Sequence, residues 1–329
     1  MLDHYWSSTL DVRSVAASLL PRRRAGANTS GMTATERTYR GMSRVAEPGE
    51  GLGLDEPLSL GLEDLMRRSA VTSRVLLECA GNGRARFELR PVSQPWLLEA
   101  VGTAEWTGTP LAPLLEEAGL SEDAVDVAFT GADHGMERGV EQDYARGLPL
   151  AEALRPEALL VWAMNGAPLP PQHGAPLRLV VPGWYGMAQV KWLTRIDVLT
   201  EPFRGYQNAT AYRLKVDAAE DGEPVTRIRP RALLVPPGWP DFMTRERFVR
   251  AGHVPLSGRA WSGRAPVTRV EVSTDGGATW ADAALAAAEP GHPYSWRSWA
   301  YDWAAEPGSF ELLARATDGT GETQPVEAE

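Results

Sequence analysis

Apolar positions fall in short runs separated by glycine and proline, and the spacing inside each run predicts its element. Gly61 to Arg68 predicts a short helix, with Glu63 and Asp64 in its first turn and Arg67 and Arg68 in its last, where the helix dipole favours them. Thr109-Pro110 to Gly119 predicts a second helix: a capping Thr, Pro in the first turn, Leu111, Leu114 and Leu115 on one face, and a glycine stop. Val71 to Leu77 predicts a strand entering the turn Ala80-Gly81-Asn82-Gly83. Leu159 to Met164 predicts another, turning at Asn165-Gly166, and Leu177 to Val181 a third, closed by Pro182-Gly183. Glycine and proline crowd residues 165–190, the loop-built setting in which sites tend to lie.

The pattern changes near residue 222. Asp217 to Pro224 is acidic and small, and Pro230, Pro236, Pro237 and Pro240 follow. Beyond that point the spacing is that of strands. Val270 and Val272 alternate with Arg269, Glu271 and Ser273, and Asp275-Gly276-Gly277 turns the chain toward Trp280. Phe310, Leu312, Ala314 and Ala316 alternate likewise. About seven short strands in this stretch predict a β-sandwich. A chain of 329 residues accommodates two such domains.

Composition narrows the function classes. Hydrophobic residues make up 43% and charged residues 23%, ordinary for a globular protein, and no apolar run approaches a membrane span. The net charge of −10 argues against nucleic acid as a partner and requires any anion site to be built from local cations. Lys191 and Lys215 are the only lysines, so those cations are almost all arginine, which suits forked recognition of oxyanions. Cys79 is the only cysteine, which excludes an intramolecular disulfide and an all-cysteine metal site. Residues 1–36 carry Arg22-Arg23-Arg24 without an apolar stretch after it. They are expected to form a flexible leader, with Met32 as an alternative start and a cytoplasmic location.

Cys79 marks the junction between a strand and a turn. Strand alternation points it and Glu78 to opposite faces, and two glycines permit close approach of the backbone to a ligand. Arg84 stands five residues on, within reach of the sulfur. By itself a single cysteine reads as a buried small hydrophobe or as a reactive thiol; His134, His173, His253 and His292 carry no local signature that pairs one of them with it.

Cys79-Ala80-Gly81-Asn82 with Arg84 resembles the cysteine signature of the sulfite oxidase family of molybdenum enzymes. Met164 to Pro170, His173 to Gly183 and Val190 to Leu193 resemble that family in order and spacing, as do Gly131-Ala132-Asp133 and Ala104 to Gly108. Ala260 to Gly263, Arg269 to Trp280, and Ala314 to Asp318 with Gln324-Pro325 resemble its immunoglobulin-like dimerisation domain. The resemblance covers about residues 37–325. It implies an α+β architecture: a mixed α/β molybdopterin-binding catalytic domain over 37–222 and an immunoglobulin-like β-sandwich over 223–329.

The resemblance implies a molybdenum-cofactor oxidoreductase that oxidises sulfite to sulfate by oxygen-atom transfer and hands the electrons to an external acceptor, cytochrome c-like or oxygen. The alternative is a relative that reduces a sulfoxide or an N-oxide. Cys79 takes the position of the metal-binding thiolate, with one molybdenum per chain on a molybdopterin. Asp133, His173, Arg178, Gln189, Val190 and Lys191 fall at positions that hold the pterin and its phosphate. Arg84, Tyr212 and Arg40 are the implied substrate-pocket residues, with Arg37 and Arg44 competing for the last role and Trp106 either walling the pocket or filling the core. Family members carry another substrate arginine in a strand beyond Gln-Pro, a place that Arg213 or another arginine would have to fill. No haem is expected, since no segment offers its axial histidines. The remaining implied partners are a small oxyanion and a second copy of the chain, without nucleic acid or membrane.

Overall fold

The strand expected over Val71–Leu77 runs one residue further, Val71–Glu78, and pairs antiparallel with Val101–Pro110 from Val71 opposite Gly108 to Glu78 opposite Val101. Val101–Pro110 then pairs with Leu159–Met164, which carries Ala167–Pro168 and Arg178–Val180 as further antiparallel partners. A second sheet is ordered Met42–Arg44, Leu193–Leu199, Asp126–Glu137, Val140–Pro149, with only its first pair parallel. The computed structural model describes residues 42–44, 58–87, 94–137, 139–215, 219–244 and 246–325, all in one compact unit. Arg40, Arg37 and the 1–36 leader lie outside the described residues.

The main apolar core closes these sheets over the helices. Leu111, Leu114 and Leu115 meet Val127, Phe129, Leu148, Leu160, Leu179 and Ile196, all buried. A second cluster, Val75, Trp106, Leu159, Val161 and Val180, covers the opposite face of the first sheet. Trp106 is therefore a core residue, 2% exposed, its indole N–H donating to the Val75 carbonyl at 3.2 Å.

Within the α+β expectation the balance lies mostly with strand, and helix is sparse among the described residues. The described α-helices are Leu62–Met66, Ala112–Ala118 and Leu150–Ala153. Thr109 does not cap a helix. It remains in its strand, its hydroxyl bonded to the Ser69 carbonyl at 3.0 Å, so the helix starts only at Ala112 and is held by burial of Leu114 and Leu115. Strand geometry outcompetes helix wherever both faces of a short segment are buried.

Beyond residue 230 the described chain forms two larger antiparallel sheets and a two-stranded one, Trp239–Pro240 with Arg247–Phe248. One of the larger sheets is ordered Arg231–Val235, Gly252–Trp261, Arg297–Ala305, Ala284–Leu285; the other Ala281–Asp282, Val267–Ser273, Leu313–Asp318. Val254, Leu256 and Trp299 of one and Val270, Val272 and Ala316 of the other share one core. The Asp275-Gly276-Gly277 turn falls between the paired strands Val267–Ser273 and Ala281–Asp282, as the spacing predicts. Phe310 precedes its strand instead of joining it, 43% exposed and edge-on to Trp303 with ring centroids 5.0 Å apart. Among the described residues no helix is long and apolar enough to cross a membrane.

Candidate active site

Cys79 continues the strand ladder by one bond, its N–H donating to the Ala100 carbonyl at 2.9 Å, and its own carbonyl then accepts from Asn82 N–H at 2.9 Å to close a turn. The Gly81 N–H points at Sγ from 3.4 Å. A Cβ on Gly81 would stand 3.2 Å from the Arg84 guanidinium carbon, so it is glycine that lets Arg84 lie back over the turn that carries the sulfur.

Tyr212, far along the chain at the end of a π-helical turn, Gln207–Ala211, stands in the electrostatic field of this turn; the π-helical geometry is rare and frequent at functional sites. Burial raises the Tyr212 phenol above its ordinary pKa, the Cys79 charge adds to the rise, and Arg146 and Arg84 oppose it. The phenol therefore stays protonated at neutral pH and is a hydrogen-bond donor.

The structure adds a buttress that sequence reading missed. Glu78 is 1% exposed and turns away from the Cys79 side. Its carboxylate accepts from Arg231 Nη1 at 2.7 Å, Asn82 Nδ2 at 2.8 Å and the Trp261 indole at 2.8 Å. Arg231 also donates to the Asn82 carbonyl at 3.1 Å. The cysteine turn is thus fastened to two strands of the second half. Alternation identifies Glu78 as the residue opposite the cysteine, but nothing local names partners more than 150 residues away.

Asp133, His173, Arg178 and Lys191 form a second cluster. Arg178, 4% exposed, donates through Nη1 to the His173 carbonyl at 2.9 Å and through Nη2 to the Gln189 carbonyl at 3.2 Å, and lies 4.8 Å over the Trp106 ring. Lys191 Nζ donates to the Gln172 carbonyl at 3.2 Å. Burial pushes Arg178 down to about 10, and burial followed by the Arg178 charge lowers Lys191. His173 is lowered by burial, then by Arg178 and Lys191, which favours its neutral form. Burial holds the Asp133 carboxyl above its ordinary value.

Gln189 and Val190 do not belong among the open groups of this cluster. The Gln189 side chain braces a turn, accepting from Val181 N–H at 2.6 Å and donating to the Val181 and Trp184 carbonyls at 2.9 and 3.0 Å. Val190 is fully buried in the core, and its N–H and carbonyl are bonded to Ala188 and Leu179. Arg213 is likewise committed elsewhere, to the carbonyls of Asp221 and Gly222. Arg146, which the sequence did not single out, is the arginine beside Tyr212, 5.4 Å from its ring centre.

This donor set suits a phosphate-bearing group. Three cationic or protonatable side chains converge with a single carboxyl that burial biases toward its proton-donating form. Asp133 Oδ1 and Arg178 Nε are both buried without a hydrogen-bond partner, a state folded proteins avoid unless a ligand completes it. A Cβ on Gly131 would stand 2.4 Å from Asp133 Oδ1 and 2.7 Å from the Lys191 carbonyl, so glycine is required for these loops to close together. A soft sulfur at Cys79 is the donor expected for a soft, redox-active metal.

Comparison with known proteins agrees with this chemistry. Residues 50–207 match the oxidoreductase molybdopterin binding domain family, and residues 239–329 the Mo-co oxidoreductase dimerisation domain family. The chain is 36% identical to the mitochondrial sulfite oxidase of Homo sapiens across 88% of its own length and 53% of that protein's. It is 31% identical to the sulfite oxidase of Arabidopsis thaliana, across 84% of its own length and 75% of that protein's. The sulfane dehydrogenase SoxCD of Paracoccus pantotrophus superposes with a TM-score of 0.71 at 26% identity, covering 90% of this chain and 70% of that one. The chain spans about half the length of the animal relatives, 53% of the human one.

Proposed function

The chain belongs to the sulfite oxidase family of molybdopterin oxidoreductases, and from that premise we propose that it oxidises sulfite to sulfate, passing the electrons to an external one-electron acceptor. Sulfite takes up the oxygen atom of one water, the two protons of that water are released, and two electrons pass to two equivalents of the acceptor. A molybdenum cofactor, when bound, would supply the redox chemistry for this two-electron oxygen-atom transfer.

The observation that carries the reading is the pairing of Cys79 with Arg84 in one glycine-built turn, with Tyr212 in the field of both. Cys79 offers its sulfur to the metal. Arg84 provides positive charge where a dianionic substrate must approach, offsetting the repulsion of a chain with a net charge of −10. Tyr212, protonated, donates to a substrate or product oxygen. Asp133, His173, Arg178 and Lys191 would hold the pterin and its phosphate, the arginine and lysine by charge and Asp133 and neutral His173 by hydrogen bonds. The two-sheet unit that ends the described chain is read as the immunoglobulin-like dimerisation domain.

The test is a steady-state assay of the full chain expressed with molybdate. Sulfite-dependent reduction of ferricyanide or cytochrome c is expected. Absence of sulfite turnover in molybdenum-loaded protein, with reduction of a sulfoxide or N-oxide instead, would replace sulfite with the alternative substrate class.

A further inference from the structure

We infer that Arg146 is a positioning residue of the Cys79 pocket, bracing Tyr212 and contributing positive charge that a bound small oxyanion neutralises. The inference rests on the oxyanion reading of that pocket and assigns a role to a residue which neither the sequence motifs nor the family resemblance singled out.

Arg146 lies in the strand Val140–Pro149 and is 2% exposed. Nη1 donates to the carbonyl of Gln207, the first residue of the π-helical turn that ends at Tyr212. Its guanidinium carbon sits 5.4 Å from the centre of the Tyr212 ring, within cation–π range. The arginine therefore grips the turn at its start and the tyrosine at its end. Nε is buried with no hydrogen-bond partner, and among the described residues no carboxylate forms an ion pair with the group. The charges bearing on it are those of Tyr144 and Tyr212, which are neutral when protonated.

A guanidinium sealed from water without a counter-charge is an unfavourable state that folded proteins rarely keep for stability alone. Tyr212 lies in the field of Cys79, Glu137 and Arg84 as well as of Arg146. Glu137 is engaged by the Gln207 side chain, so the guanidinium without an ion pair sits one side chain from the corner where an anionic substrate has to bind. Arg213, the adjacent arginine in sequence, is held by the Asp221 and Gly222 carbonyls and leaves that place to Arg146.

The test compares wild type, Arg146→Met and Arg146→Lys as molybdenum-loaded full chains, with two readouts. The first is the KM and kcat for sulfite. The second is the shift in melting temperature produced by sodium sulfate, against sodium chloride at equal ionic strength. Arg146→Met is expected to raise KM about tenfold or more with a smaller change in kcat, the size of about 1.4 kcal/mol of lost charge attraction and positioning. It is also expected to lose the sulfate shift, and to melt no lower than wild type without sulfate, because an unpaired buried charge has been removed. Arg146→Lys should fall between the two. Unchanged KM and an unchanged sulfate shift in Arg146→Met would overturn the inference, as would a lower melting temperature with KM intact, the mark of a purely structural arginine. If Arg146→Met fails to fold, an Arg146→Lys protein with wild-type KM and sulfate shift overturns it equally. A wild type that neither turns over sulfite nor responds to sulfate defeats the oxyanion reading itself, and the inference with it.

Discussion

At the scale of single residues, the pocket is defined by groups that are poorly satisfied without a ligand. Asp133 is the clearest. Its Oδ1 has no partner, and burial raises its pKa above the ordinary 3.8. A carboxyl whose folded pKa is raised leaves stability untouched below the unfolded value and weakens the fold as pH climbs past it. In the cofactor-free full chain, Asp133→Asn should therefore melt higher than wild type at neutral pH. The gap should vanish well below pH 3.8, while pterin retention falls in the variant. Thermal unfolding from pH 3 to 8, with pterin fluorescence as the second readout, checks both halves. The family resemblance put Cys79, Arg84, Asp133, His173, Arg178 and Lys191 forward, and the structure sets Cys79 with Arg84 in one turn and the other four in one cluster. Arg146 was not legible, because its role depends on a tyrosine 66 residues away and on the absence of a counter-charge, neither of which leaves a local trace.

At the scale of elements, periodicity found the strands and overestimated the helices. Leu159–Met164 emerged with the ends its apolar run marks, since a continuous run bounded by Asn165-Gly166 fits a buried strand. The helix expected from Thr109 was shortened because the strand Val101–Pro110 reaches through Pro110 before the chain turns. Nor could periodicity disclose that the cysteine strand is fastened to the second half through Glu78 and Arg231. Removing Arg231 leaves a carboxylate that is 1% exposed without its charged partner, although Asn82 and Trp261 still donate to it. Arg231→Met should cost about 3 kcal/mol of unfolding free energy, the lower end for a broken buried pair. The double variant Glu78→Gln with Arg231→Met should recover a large part of that loss. Urea unfolding at pH 7 measures both, and a single variant within 0.5 kcal/mol of wild type would show that the contact does not brace the turn.

At the scale of the whole molecule, the two halves meet along a polar seam. Arg74 bridges Glu105 of the first half and Glu289 of the second at 2.9 and 2.5 Å, and its N–H donates to His292 Nδ1 at 3.0 Å. Arg227 pairs with Glu152 at 2.5 Å, and Leu76 N–H donates to the Tyr294 carbonyl at 2.9 Å. Composition could announce a change of character near residue 222 but not this seam, which is assembled from charges distant in sequence. The match of residues 239–329 to the Mo-co oxidoreductase dimerisation domain family suggests that the second half pairs with another copy. Sedimentation equilibrium should give twice the 35.8 kDa chain mass, and a concentration-independent monomer would refute the pairing.

The central claim is that the Cys79 sulfur is bonded to molybdenum. X-ray absorption at the molybdenum edge of the loaded full chain tests it without passing through turnover. Cys79→Ser is expected to retain pterin and metal but to show one fewer sulfur neighbour than wild type, with sulfite oxidation lost. An unchanged sulfur shell in that variant, with sulfite oxidation preserved, would contradict it.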